Sequence, residues 1–254
     1  MLHSDQLAQT TALRCRVTNK SFRPINHIEA AQLHLALLSD ALSLAQVSLA
    51  TCFEGIYGVS TKRFTWAKVK LYYSTFYAIR ARLMLAEISI FYVGRTPHAL
   101  EARAGASIRK KSGNSHTVAF DEYERLFAGD VTLSQEIAQT PPLRWIEEQR
   151  NEASYRSAPF KDPDVPTEFT KPSSKIRAHL QAYLEDNTYI YTFDPEHALI
   201  AYPLTLLKKL NGEITQLGHP DKIPILKHYV DILAAENCFL PNFKTNFDIF
   251  DLDA

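Results

Sequence analysis

The chain has 254 residues, 46% of them apolar and 22% charged, and carries no net formal charge at pH 7. That balance excludes a disordered or low-complexity chain and is ample for a core without disulfide or metal staples. Only eight glycines, set among long Ala, Leu and aromatic runs, favour helix over a turn-dense β architecture.

Cys15, Cys52 and Cys238 are an odd set with no paired spacing, which points to a reducing compartment rather than a disulfide framework. Met1–Ala12 is too polar for a secretory leader, and no run approaches the ~18 consecutive apolar residues of a membrane span. A cytoplasmic protein without membrane association is expected. The charge is uneven: residues 1–118 carry 15 Lys/Arg against 6 Asp/Glu, and residues 119–254 carry 13 against 22. Either a basic surface faces nucleic acid or the two halves attract each other, within the chain or between subunits.

The first 22 residues show no sustained period and read as a frayed lead-in. From Ile25 to Tyr57 apolar residues recur at threes and fours (Ile28, Ala31, Leu35, Leu38, Leu42, Ala45, Leu49, Phe53), predicting a long amphipathic helix opened by Pro24 and closed by Gly58 as a left-handed cap. Ser60 and Thr61 are expected to cap a second helix over Lys62–Glu87, in an antiparallel hairpin with the first. Tyr72, Phe76, Ile79 and Leu83 form one stripe on it; Tyr73, Tyr77, Arg80 and Met84 form the next. At this spacing Tyr72, Tyr73 and Tyr77 read as core in preference to base-stacking residues.

Ser89–Val93 is β-branched and aromatic and fits a strand or an extended loop. Arg109-Lys110-Lys111 is the most basic run, followed by His116 in a polar loop. Helix returns at Asp121–Phe127, weakly near Ser134–Ala138, and again at Leu143–Ser154 behind Pro141 and Pro142. Pro159, Pro163 and Pro166 mark a linker. Beyond it, helices are expected at Ser173–Asp186, Pro195–Leu210 and Pro220–Cys238, with a strand-like Tyr189–Phe193. The acidic tail carries Phe243, Phe247 and Phe250, suited to docking on its own lobe or on a partner.

Arg150-Asn151-Glu152-Ala153-Ser154-Tyr155-Arg156 closes a helix before the proline-broken segment. By itself such a heptad is commonly a solvated helix end, since arginine suits the negative pole of the helix dipole. Read together with Trp66–Leu83 it gains weight. That helix, with its paired tyrosines and its aromatic-Ala-x-Arg pattern, resembles the second helix of HEPN domains, and the long first helix and the late helix ending in Arg-Asn fit the same arrangement. The resemblance covers residues 23–156. It implies an all-α, HEPN-like helical bundle over 23–157; the chain pattern itself sets a lead-in at 1–22, a Pro-rich linker at 158–171 and a smaller helical C-terminal lobe at 172–254.

In HEPN proteins an arginine, followed four to six residues later by histidine, meets its copy across a dimer cleft; active members are metal-independent ribonucleases and others are scaffolds or RNA binders. The resemblance places Arg150 at the arginine, Asn151 at the polar residue after it, and Tyr155 where the histidine is expected. Tyrosine, with an ordinary pKa of ~10, is a poor general base near neutrality, whereas arginine suits a phosphate or a developing charge on phosphorus. His116 is the candidate substitute base, provided it lies near Arg150. Arg109, Lys110, Lys111 and Arg156 are candidate phosphate contacts, with a solvated loop as the simpler account of the first three. In the alternative, Arg150 forms a buried ion pair across a dimer and Tyr155 packs beside it.

No histidine spacing suits a metal, and His27 and His34 lack completing ligands, so neither metal nor cofactor is expected. The resemblance implies a homodimer. It implies either a metal-independent RNA-cleaving effector of bacterial stress or phage defence, or a non-catalytic dimeric scaffold that binds RNA or a protein partner such as an antitoxin.

Overall fold

The computed structural model describes residues 2–18, 21–156, 162–218 and 221–253, the side chains of Tyr155 and Arg156 excepted. The protein is predominantly helical, with eleven α-helices and three small sheets among the described residues. It divides into two compact units, both discontinuous in sequence: Met1–Leu44 with Ile79–Ala128, and Ala45–Ala78 with Gly129–Ala254.

The first unit opens on α1 (His3–Cys15), not on a frayed lead-in. Its buried face is built from small residues, Ser4, Ala8, Thr11, Ala12 and Cys15, which a search for large apolar residues passes over. The Asp40 carboxylate accepts the Ser4 N–H at 2.6 Å, and Asp5 pairs with Arg80 at 3.2 Å. After β1 (Arg16–Thr18) and β2 (Ser21–Phe22), α2 runs His27–Ser60. Asn26, rather than Pro24, sets its start. The Asn26 side chain accepts the N–H groups of Ile28 and Glu29, and Glu29 reaches back to the Asn26 N–H at 2.9 Å. That reciprocal pair is a capping box.

The first unit also takes the last two turns of α3 (Phe64–Leu85). The ambiguous segment is a strand: β3 (Ile88–Val93) pairs antiparallel with β4 (Thr96–Glu101) around Gly94-Arg95, where Gly94 has φ +62°. A glycine at a two-residue hairpin turn meets its demand for positive φ. Short β5 (Arg109–Lys110) adds to β4, and α4 spans Ser115–Leu126. Helix α4 begins six residues ahead of the expected Asp121 because Asn114 caps it, accepting the N–H groups of His116 and Thr117.

In the second unit α2 and α3 run antiparallel. The Ser48 hydroxyl donates to the Ser74 carbonyl at 2.7 Å, and Gly55 and Gly58 face Leu71 and Ala67. Gly58 is not a cap. A Cβ there would sit 3.1 Å from that of Ala67, so the glycine admits a close helix approach while the helix continues to Ser60. The left-handed position falls on Lys62, φ +59°, and α3 starts at Phe64.

Helix α5 (Pro142–Asn151) passes into a π-helical turn over Glu152–Arg156. The weak helix expected near Ser134–Ala138 is replaced by a 3-10 turn, Val131–Leu133. Of the expected linker, Pro159 lies outside the described residues, while Thr167–Phe169 forms a 3-10 turn whose Phe169 stacks on Phe64 at 5.7 Å. Then follow α6 (Thr170–Ser174), α7 (Ile176–Glu185), α8 (Ile190–Phe193), α9 (Ala198–Gln216), β6 (Ile223–Pro224), α10 (Lys227–Ala235), α11 (Pro241–Asn246) and β7 (Phe250–Asp251). The strand-like Tyr189–Phe193 is therefore a short helix, and Pro220 is outside the described residues. The tail packs on its own unit: Phe243, Phe247 and Phe250 are buried, with Phe243 5.3 Å from Phe53.

Helix α2 is long and apolar enough to cross a membrane by length and composition, but 56% of its most apolar window is buried inside the protein.

Candidate functional site

Helix α3 carries the two stripes expected of it, and they have different fates. Tyr72, Phe76, Ile79 and Leu83 are all core residues, at most 7% exposed. On the adjacent stripe Tyr73 and Tyr77 are only half-buried, their rings stacked with centroids 5.8 Å apart. The expectation that all three tyrosines are core therefore holds for Tyr72 alone. Burial, reinforced by Glu147 and opposed by Arg150, pushes the Tyr72 phenol well above the usual range, so it stays protonated.

Arg150 is set across both stripes. Its guanidinium carbon lies 5.4 Å from the Tyr72 ring centroid and 5.9 Å from that of Tyr73. Nη1 donates to Asn151 Oδ1 at 2.9 Å, and Nη2 approaches the Tyr73 hydroxyl at 3.4 Å. A cation on an aromatic face contributes about 0.5–1 kcal/mol at a site open to water, and more when dry. The arginine is thereby held in one orientation at the end of α5. It is a positioned cation, held by the two rings and by Asn151.

Next to this arginine the chain forms a cleft of about 280 Å³ lined by Thr65, Lys68, Glu152, Asp162, Asp164 and Glu168, among others. Lys68 is buried, its Nζ 3.0 Å from Glu168, 3.6 Å from Glu152 and 3.1 Å from the Gln149 side-chain oxygen. Asp162 accepts the Thr65 N–H and hydroxyl at 3.2 and 3.1 Å, which sets a carboxylate at the positive end of α3. Four carboxylates face one ammonium here. The cleft repels a phosphate.

The other expected site residues are dispersed. The Tyr155 and Arg156 side chains lie outside the described residues. His116 is in the first turn of α4, in the first unit, rather than in a loop. Arg109 and Lys111 are not a solvated basic loop: both pair with Glu122, whose side chain is fully buried, and Arg125 joins them at 2.8 Å. Burial alone would raise the Glu122 carboxyl, but the hydrogen bonds from Arg125 and Lys111 and the charges of Arg109 and Lys111 overcome it and hold it at about 2. Lys110 projects from β5, exposed.

Three groups escape a reading of the sequence. Lys68 carries a signal, being four residues before Tyr72 on the core stripe, a position where a charge calls for partners. Glu122 carries none, since only the fold brings three cations to it. Nor does the buried pair of Tyr183 and His197, whose hydroxyl and Nδ1 are 2.7 Å apart.

Comparisons with protein-family models, with curated proteins and with solved structures find no match for this chain.

Proposed function

We propose that this chain is a HEPN-like protein that acts on RNA without a metal, as a cleaving effector of the kind that serves bacterial stress or phage defence. One observation carries the reading. The two segments that bear the resemblance, Trp66–Leu83 and Arg150-Asn151, meet in the second unit, with Arg150 laid on Tyr72 and Tyr73. An arginine fixed in this way suits the charge that builds on phosphorus when a ribose 2′-hydroxyl attacks its neighbouring phosphate. That step forms a 2′,3′-cyclic phosphate and releases a 5′-hydroxyl end. Tyr155, as a phenol, is suited to protonating the leaving oxygen, and a histidine from elsewhere, such as the partner copy of a homodimer, would take the first proton.

The test is cleavage of end-labelled total RNA in EDTA by wild type, Arg150→Ala and Tyr155→Phe, with cyclic-phosphate ends assayed. Removing Arg150 should lower the rate by about 10²–10³-fold. Wild-type activity in Arg150→Ala would sink the assignment.

A second reading, a non-catalytic dimeric scaffold for RNA or a protein partner, is favoured by a different observation. The cleft beside Arg150 is acidic, and the guanidinium already spans Asn151 and Tyr73. A clean dimer that leaves a broad RNA panel intact selects it.

A further inference from the structure

The half-buried stripe of α3 extends further than the two tyrosines. Trp66, Lys70, Tyr73 and Tyr77 follow at i, i+4, i+7 and i+11, so they share one side of the helix. Trp66 is 61% exposed. A tryptophan so open to water is unremarkable alone. This one, however, helps line a pocket of about 320 Å³ together with Tyr57, Gly58, Arg63, Ala67, Lys70 and His228.

The pocket is organised. Gly58 and Ala67 line it where α2 and α3 approach closely. The Arg63 guanidinium sits 5.6 Å from the Tyr57 ring centroid, and Lys70 is ion-paired with Glu54. Two permanent cations, Arg63 and Lys70, stand against the single carboxylate of Glu54 in this lining, an excess of one positive charge. This is the reverse of the acidic cleft lined by Lys68 and Thr65 from the opposite side of the same helix.

We propose that the Trp66–Lys70–Tyr73–Tyr77 stripe, with the pocket at its start, is a track for single-stranded nucleic acid, with one base stacked on Trp66 and the backbone phosphates on Arg63 and Lys70. Exposed aromatic faces spaced along a cationic groove bind bases without regard to sequence. Trp66 and Tyr73 are seven residues apart, about 10 Å along the helix, which is the length of about three stacked nucleotides. The track leads to Tyr73, the ring on which Arg150 lies, so a strand held at Trp66 delivers a phosphate to that arginine. The inference deepens the RNA reading, which it needs for its placement of the phosphate, but its binding test needs no cleavage.

The probe is a twelve-residue 2′-O-methyl oligonucleotide, which lacks the attacking hydroxyl, titrated in EDTA at low salt. Tryptophan emission reports directly, since Trp145, the second of two tryptophans, is buried. Trp66 emission should be quenched, Trp66→Phe should lose most of that signal, and Trp66→Ala should weaken binding by roughly tenfold or more in fluorescence anisotropy. Arg63→Ala should weaken binding for every sequence alike and flatten its salt dependence by about one phosphate contact.

Binding that leaves the emission unchanged and is equally tight in Trp66→Ala overturns the track. So does an absence of binding, including the case in which Trp66 is shielded by a second copy and its emission shifts on dilution instead. The two readings fail separately. Tight, Trp66-dependent binding with no cleavage of total RNA keeps the track and removes the ribonuclease. Arg150-dependent cleavage that is unaltered by Trp66→Ala does the opposite.

Discussion

Two buried clusters, one in each compact unit, solve the same problem, polar side chains in a core, in opposite ways. The first buries a charge and surrounds it: Glu122 is fully enclosed and meets Arg109, Lys111 and Arg125. The second buries neutral titratable groups and bonds them to each other: Tyr183 to His197, with His179 5.1 Å away ring to ring and Tyr191 at 5.0 Å. A paired charge is stable while it stays ionised, and a buried imidazole while it stays neutral. The units should therefore respond to acid at different pH.

The largest effect is expected at Glu122. Glu122→Gln keeps the shape and removes the charge that three cations share, so unfolding should become easier by about 2–3 kcal/mol. That figure is below the usual cost of breaking a buried pair, because the cations are themselves partly in water. With its carboxyl at about 2, Glu122 stabilises the fold above its ordinary pKa near 4.5, and the contribution drains as pH falls towards 2. A urea titration series between pH 5 and 2 should show that loss in wild type and lack it in the variant. Equal slopes in both would assign the acid sensitivity elsewhere.

In the second unit burial holds His179 and His197 below the ordinary histidine value, with Lys171 and Lys175 adding repulsion at His179 and Asp194 opposing at His197. Their contribution is complete above about pH 6.5 and falls below it, where the unfolded chain takes up protons more readily than the folded one. Hydrogen exchange of the first-turn amides of α9, followed from pH 7.5 to 5.5, should speed relative to those of α4 after the intrinsic pH dependence is removed. Tyr183→Phe should cost about 1 kcal/mol by leaving His197 Nδ1 without its partner; a neutral result would mean that the pair contributes nothing.

The smallest effect separates two uses of glycine. Gly58 is pressed against Ala67, whereas Gly212, in the last turns of α9, has open space around it: a Cβ added there would meet nothing within 4 Å. Gly212→Ala should raise stability by about 0.5–1 kcal/mol, or about 2 °C in Tm. A drop would show that α9 needs backbone freedom at that turn.

These contrasts mark how much the sequence reveals. The helices α2 and α3 are visible from spacing, and so is the division of Tyr72 and Tyr73 between neighbouring stripes, but the first half of the stripe expected on α2 is misplaced: Ile28, Ala31 and Leu35 are exposed and Leu33, Ala36 and Leu37 are buried instead. Helix α1 is hidden because its buried face is alanine, serine and threonine. The end of α2 is not legible because glycine serves close packing and C-caps equally well, and only the facing Ala67 distinguishes them. At the candidate site Arg150 and Asn151 stand out by their order at a helix end. Their seat on Tyr72 and Tyr73, the acidic lining of the neighbouring cleft and the three cations on Glu122 are products of long-range contact, which local patterns do not encode. Trp66 is visible as one aromatic among several. What singles it out is exposure.

The discontinuity of the first unit has a consequence for synthesis. Its opening residues end at Leu44, and the strands and helix that complete it end at Ala128. At ordinary ribosomal rates the gap between them takes about 4–17 s to emerge. Through that interval α2, apolar enough to pass for a membrane span, is outside the tunnel with only α1 and the emerging α3 to pack on. Yield in a cell is therefore expected to rise with the supply of chaperones that hold apolar helices, which co-expression at constant induction would measure.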